Sequence, residues 1–497
     1  MAISLQKTLL ILTLAYAGFV LFAHLDDHQL EIYDEARRGV NALEMARGES
    51  HLLVPTYAGE PDHWGTKPPL LVWCQAFWIK ILGPGELPVR LPAALATLSL
   101  CVLMIWWTAR DWGSPYIGAL ASLVLLSNWQ FMGNHGARSG DFDALLLLFL
   151  FLQVMGSYRW IKTNDLRWLG VAALGVLLAG WTKGVAGGFV LPAIGLWMLL
   201  LPEGRQQLLR PWVYLGFGLA ILGVLSYYFM RNNIDQGYFE LVRGNELGGR
   251  FSEATEGHQQ PWYFYFQSLL FDRAAGHLYP LLLPAIAIGL FTKKLREVTL
   301  LSALAGVVSL LVVSVAATKL YWYQGPTLPF FSLLVGMLLF EVAQMIRRHF
   351  KGASGRVVTV TFLAGFLIFP MVLIIDRVLD PREHVETPLR KAPFRDFIRD
   401  PMVEPPFTIS IRNYNPNARF YAETAGNEIA IKSIKSLSPP VVATTREAGV
   451  FKVDERVVIC SSETWEYLFD RFEVKEIYQS GACKLVKLTK AREAALN

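Results

Sequence analysis

Pro-Pro-Leu-Leu-Val-Trp-Cys-Gln-Ala-Phe-Trp-Ile-Lys-Ile-Leu-Gly, residues 68–83, is the stretch on which the reading of this chain turns. It is apolar and Trp-rich, yet short, and Gln75 and Lys80 interrupt it. Crossing ~30 Å of hydrocarbon takes about 20 apolar residues. Residues 68–83 are therefore expected as an amphipathic helix lying in the membrane interface. That choice fixes the side on which every later loop falls.

Around this segment the chain is mostly hydrocarbon. Of 497 residues 53% are hydrophobic and only 18% charged, against about 25% charged in soluble domains, and mean hydropathy is +0.35. The composition predicts a polytopic membrane protein, and a formal net charge of +5 gives no case for nucleic acid. Spans are expected near residues 8–24, 90–109, 115–132, 144–160, 167–181, 186–201, 212–230, 278–292, 298–316, 326–345 and 357–375. The first resembles a signal peptide, but an uncleaved helix fits its length better.

With 68–83 in the interface and the N-terminus cytoplasmic, the short loops carrying Arg110, Arg159, Arg205, Lys293 and Arg347 all lie inside, as the positive-inside rule requires. Counting 68–83 as a span would reverse them all. The same topology gathers the unusual polar residues outside: loop 25–89, the Arg138–Asp143 turn, Thr182-Lys183-Gly184, loop 231–277 and Thr318–Gln324. The expected organisation is a transmembrane domain over 1–376 and a periplasmic α/β domain over 377–497. Short β-rich runs such as Val441–Thr444 and Val457–Ile459 belong to the latter. Cys460 and Cys483 either pair there, in an oxidising compartment, or are buried free thiols.

Chemistry concentrates on that outer side. Asp34-Glu35 follows the first span and opens a short helix, where the dipole favours a negative charge. An ionised Asp34 there can take a proton from a hydroxyl or amine, and it reads equally as a plain N-cap. Lys67 enters the interfacial helix before Pro68-Pro69, either as a snorkelling anchor or as a point charge for a lipid phosphate. Asp141 and Asp143 sit at the mouth of a span; Asp141 reads as a cap, and Asp143 calls for a partner such as Arg138 or a polar substrate. Lys183 tips a helical hairpin, Lys319 ends another span, and Arg231, Arg243, Arg250 and His258 crowd one loop. Headgroup contact explains any one of these cations; carboxylates and cations together fit an anion site beside a base. No zinc-spaced His/Cys cluster, phosphate loop, dinucleotide fingerprint or Gly-x-Ser-x-Gly occurs.

Asp34-Glu-Ala-Arg, Lys67-Pro-Pro, Val89-Arg90-Leu-Pro, Asp143, Thr182-Lys-Gly, Gly257-His-Gln-Gln-Pro-Trp and Lys319 through Pro329 occur in the order seen in GT-C class membrane glycosyltransferases. The resemblance covers roughly residues 1–345 and is to bacterial relatives of protein O-mannosyltransferases and of the lipid A aminoarabinose transferase. In the C-terminal part Arg412-Asn-Tyr-Asn-Pro is similar to a segment of some members. The resemblance implies about 11 transmembrane helices with interfacial juxtamembrane helices, plus a small α/β domain. It implies inverting transfer from a polyprenyl-phosphate sugar to lipid A, a glycan or a protein at the outer face of a bacterial inner membrane. Asp34 would be the base and Glu35 would orient it or bind the sugar. Asp143, with Asp141, would be the second acidic site. Lys67, helped by Arg90, Lys183, Arg250, His258 or Lys319, would hold the donor phosphate. Tyr321 and Tyr323 would line the sugar or acceptor pocket. No cofactor and no metal is expected, metal dependence varying within the class. The alternative is a lipid-linked sugar flippase, which would place charges near the midplane and show inverted halves; no internal repeat is visible.

Overall fold

Each expected span coincides with a helix, and seven helices are long and apolar enough to cross a membrane among the described residues: Glu86–Trp112, Asp143–Thr163, Leu166–Gly188, Pro211–Ile234, Arg296–Val315, Tyr321–His349 and Gly352–Leu379. The computed structural model describes residues 5–31, 33–133, 135–249, 259–271, 278–380, 394–411, 414–426, 429–433 and 451–492. The other four expected spans fall on the shorter apolar helices Lys7–Phe22, Pro115–Leu126, Leu191–Leu200 and Tyr279–Phe291, each below the length of about 20 residues that a crossing takes. The span expected over 115–132 is cut at Ser127-Asn128, because the Asn128 side chain accepts from the Phe131 N–H at 3.2 Å and starts a separate turn. The decisive segment is a helix over Leu70–Leu82, 13 residues, about 20 Å at 1.5 Å per residue, a length in the range of the four shorter helices.

In lipid, helices associate by close packing rather than by the hydrophobic effect. The helix Pro115–Leu126 is the clearest case. A Cβ at Gly118 would stand 2.4 Å from the Met104 carbonyl oxygen, and one at Gly336 would stand 2.5 Å from the Ala121 nitrogen. Only glycine lets these backbones meet.

The chain forms two compact units. The first comprises Met1–Leu25, Thr66–Leu71 and Arg90–Pro381; the second comprises Asp26–Gly65, Val72–Val89 and Arg382–Asn497. Most of the expected outer loop 25–89 thus groups with the C-terminal residues, for a physical reason. Leu30, Val40 and Leu43 share one buried cluster with Phe407, Phe420 and Leu485.

The second unit holds a five-stranded mixed sheet. Strands β3 (Phe407–Ile411), β4 (Ile429–Ser433), β5 (Arg456–Ile459), β6 (Phe472–Ser480) and β7 (Cys483–Ala491), numbered after a small hairpin of β1 (Thr56–Tyr57) and β2 (Glu60–Pro61), lie in the order β4-β3-β5-β7-β6. Strand β3 pairs in parallel with β4 and β5, and β7 pairs antiparallel with β5 and β6. Of the two cysteine readings left open, the bridge is found: Cys460, just past β5, is disulfide-bonded to Cys483 at the start of β7. The run at Val441–Thr444 lies outside the described residues.

The helix Asp34–Arg47 is fastened inside this unit by charge. Arg37 Nε donates to both Asp62 carboxylate oxygens at 3.0 and 2.8 Å, and Asn41 Nδ2 adds a bond at 3.0 Å. The Trp64 and Gly65 N–H groups donate to Asp62 Oδ1 at 3.1 and 2.9 Å. Burial alone pushes the Asp62 carboxyl up, but the Arg37 guanidinium outweighs it and holds the group well below the usual carboxylate range.

Glu44, on the same helix and 2% exposed, goes the other way. Burial, with the Glu423 charge adding to it, pushes its pKa from 4.5 up to about 7 against opposing bonds from Thr56 and the Gly59 N–H. The folded state therefore holds a proton that the unfolded state gives up. The stabilisation from that proton is full below about 4.5 and is lost as pH rises through about 7, at most ~3 kcal/mol. Thermal denaturation at pH 5 and pH 8 measures it. Glu44→Gln is expected to flatten the dependence; an equally steep profile in that variant overturns the assignment.

Candidate active site

In the first unit, Asp143 is the first residue of the helix Asp143–Thr163 and Lys183 the last of the helix Leu166–Lys183. The helix ends there because Gly184 adopts φ 57, a conformation costly for other residues. The Lys183 ammonium pairs directly with Asp143 Oδ1, their side chains 16% and 7% exposed. It also lies 5.7 Å from the Tyr323 ring centroid. Of the partners expected for Asp143, Arg138 is not the one found; Lys183 takes that place. Arg138 instead donates to the carbonyls of Val20, Ala23 and His24 at 2.6, 2.8 and 3.2 Å, closing the end of the first helix.

Asp141, expected as a cap, bonds its own neighbour's N–H at Phe142 (2.7 Å) and pairs with His135 Nδ1. His135 stacks on Trp322, centroids 4.1 Å apart and planes at 21°. A small open pocket lies beside them, lined by Gln130, His135, Asp143, Tyr321, Trp322 and Gln324 among others. Asp143 Oδ2 and Gln324 Oε1 are buried there without a hydrogen-bond donor among the described residues. Buried acceptors need donors. Two bare acceptors beside aromatic walls suit a ring that has hydroxyl or amino donors and an apolar face.

Lys67 stands at a second anion-type contact in the same unit. Its Nζ is 3.2 Å from Glu246 Oε1, and Thr66 Oγ1 donates to the same oxygen at 2.6 Å. Lys67 also lies 5.9 Å from the Phe142 ring centroid. The Tyr238 hydroxyl donates to the Thr66 carbonyl at 2.7 Å. Tyr238 is in turn held under the fully buried Arg231 guanidinium, 3.9 Å from its ring.

The other expected phosphate contacts divide. Arg90, 6% exposed, donates to the Leu25 carbonyl at 2.9 Å. Lys319 donates to the Ala316 carbonyl at 2.6 Å. Lys319 thus closes a helix end, and Arg90 holds the chain just beyond the first helix. Arg250 and His258 lie outside the described residues, as does Arg412. Tyr321 is half exposed and packs 4.9 Å from Phe264.

Asp34 and Glu35 belong to the second unit. Asp34 opens the helix Asp34–Arg47 and is partly exposed. Glu35 is 2% exposed and its Oε2 accepts from the Glu31 N–H at 2.7 Å, so it holds the turn into that helix. Sequence reasoning missed His135 and Glu246. A lone histidine before a glycine and a glutamate in Arg243-Gly-Asn-Glu-Leu-Gly-Gly carry no spacing signal.

Comparison with known proteins gives four likenesses. The family described as Dolichyl-phosphate-mannose-protein mannosyltransferase matches residues 66–229. An undecaprenyl phosphate-alpha-4-amino-4-deoxy-L-arabinose arabinosyl transferase of Pseudomonas savastanoi pv. phaseolicola is 27% identical over 337 residues, 67% of this chain and 60% of the relative. The match thus spans less than two thirds of that relative's length. Among solved structures, ArnT from Cupriavidus metallidurans bound to undecaprenyl phosphate superposes with a TM-score of 0.73 at 16% identity, covering 96% of this chain and 97% of that one. The archaeal oligosaccharyltransferase AglB from Archaeoglobus fulgidus, in complex with an inhibitory peptide and a dolichol-phosphate, gives 0.51 at 13% identity over 86% and 65%. At such identities these structures establish the fold.

Proposed function

We propose that this chain, of GT-C fold and of the arabinosyltransferase and protein mannosyltransferase type, transfers a sugar from a polyprenyl-phosphate donor to a hydroxyl or amine acceptor with inversion. The acceptor is lipid A, a glycan or a protein, at the outer face of a bacterial inner membrane. The observation that carries this reading is the buried Asp143–Lys183 pair beside an aromatic cavity with two bare acceptors, in the same unit as the Thr66–Lys67 anion contact. The polar and aromatic lining suits the hydroxyls and apolar face of a sugar, and the contact suits a phosphate.

The chemistry assigned is a single displacement. The acceptor oxygen or nitrogen bonds to the anomeric carbon, the bond from that carbon to the phosphate oxygen breaks, and polyprenyl phosphate leaves as an anion. Asp34 receives the acceptor's proton. Lys67 stabilises the charge that develops on the phosphate, and Lys183 holds the Asp143 side chain in place toward the sugar. Asp141 keeps His135 against Trp322.

The flippase alternative is disfavoured. Asp143 and Lys183 sit at helix ends, where a transport path would need charges near the middle. The cytoplasmic N-terminus and periplasmic C-terminal part follow from the Lys/Arg distribution. The Cys460–Cys483 bridge supports an oxidising compartment for the latter.

The direct test incubates the purified protein with polyprenyl-phosphate sugars and envelope acceptors and follows product mass. Movement of donor across liposomes without transfer would favour the flippase. Lys67→Ala is expected to raise the donor KM about 10-fold, as loss of one charge-assisted contact of ~1.5 kcal/mol does, with a smaller change in kcat. An unchanged donor KM removes Lys67 from the phosphate.

A further inference from the structure

We infer that Glu246 is an internal anion occupying the donor phosphate's place on Thr66 and Lys67, and that the incoming phosphate must displace it. The inference rests on the reading of Lys67 as a phosphate contact and adds a residue that sets donor affinity and product release.

A hydroxyl and an ammonium converge on one oxygen of Glu246, at 2.6 and 3.2 Å. This is the donor set a phosphate oxygen takes. The two sides of the contact are held unequally. Thr66 is fixed from behind by Tyr238, which is stacked 6.0 Å from Tyr228 at 17° and lies under Arg231. Arg231 itself is fully buried, 3.1 Å from the Tyr227 hydroxyl and 3.6 Å from Asp235.

Glu246 comes from the opposite kind of structure. It sits on a seven-residue π-helical turn, Arg243-Gly-Asn-Glu-Leu-Gly-Gly, in which Gly244, Gly248 and Gly249 contribute no side chain. π-Helical turns are rare and are found at functional sites. Glycines lower the helical preference of the segment further. The turn begins at Arg243, whose ion pair with Glu240 is almost fully exposed, at 78% and 79%. Arg243, Gly244 and Gly248 are exposed, and exposed segments open at lower cost than buried ones. The Thr66–Lys67 side is thus the fixed receptor and the Glu246 side the part able to leave.

Charge gives the exchange a direction. Glu246 and a donor phosphodiester each present one negative charge, so they compete on similar terms. After transfer the polyprenyl phosphate is a monoester with a second charge, and Glu246 returning to Lys67 opposes its retention. Apparent affinity for a phosphate is lowered by the fraction of protein in which the seat is free.

The test measures binding of a short-chain prenyl monophosphate to the detergent-purified full chain by calorimetry, comparing wild type with Glu246→Gln, Glu246→Ala and Lys67→Ala. The expected result is about 3–10-fold tighter binding in both Glu246 variants, and slower turnover from stronger product inhibition. Lys67→Ala should bind more weakly than wild type. If both Glu246 variants elute as folded protein and bind no tighter, Glu246 is no competitor and the inference is overturned while the Lys67 reading stands. If Lys67→Ala binds as wild type does, the phosphate seat itself is misplaced and both readings fall.

Discussion

Asp34→Asn is expected to lower transfer by about 10³-fold, within the 10²–10⁴ range of a lost general base, and to leave the folded protein intact. Asn keeps the shape and hydrogen-bonding reach of Asp but takes no proton at neutral pH. The structural consequence is small by comparison. Asp34 is the first residue of its helix, and losing one negative charge there costs ~0.3–1 kcal/mol. Its neighbour provides the contrast. Glu35 is committed to the Glu31 N–H, so Glu35→Gln should disturb the turn and leave kcat within a few-fold. Single-turnover rates with saturating donor measure both. Transfer by Asp34→Asn within three-fold of wild type, or a larger loss in Glu35→Gln, would remove Asp34 from the base role.

The second large effect is on stability. Lys183→Ala is expected to destabilise the first unit by ~3–5 kcal/mol, the cost of leaving a buried charge without its partner. Asp143 is 5% exposed, and its Oδ2 already lacks a donor. Removing Lys183 would strip the carboxylate of its ammonium partner. Asp143→Asn should cost less, because the amide is neutral and Lys183 sits at the end of its helix, where a cation is favoured. The double variant Asp143→Asn, Lys183→Ala is expected to be more stable than the sum of the two single losses, since it leaves neither charge unpaired. Denaturation midpoints of the four proteins in detergent form the cycle. Additive losses would show that the two side chains are not coupled.

How far the sequence carried this reading depends on distance along the chain. Membrane helices were legible because each is a local property, a run of apolar residues. The short helix expected over 68–83 is found at Leu70–Leu82, but one of its two polar interruptions has a different role from the one expected. Gln75 is not a polar interruption facing water; it is fully buried and donates to the Val89 carbonyl at 2.9 Å, whereas Lys80 is exposed as expected. Pairings between distant residues were not legible. Asp143 lies five residues from Arg138 and forty from Lys183, yet pairs with the latter. Glu246 lies 179 residues from Lys67, and no local pattern announces that contact. The loop 25–89 showed the same limit. Its apolar residues mark a core, but nothing in their order says that the core belongs with strands β3, β5 and β7.

The bond between Cys460 and Cys483 closes a ring around the helix Ser462–Arg471 and strand β6. A protease of the cell envelope that cuts once inside this ring frees no fragment. The severed chain would migrate as one species on a non-reducing gel and as two after thiol treatment. Damage to this face would therefore go unseen by size alone, and the sheet would keep its outermost strand after its own backbone had been broken.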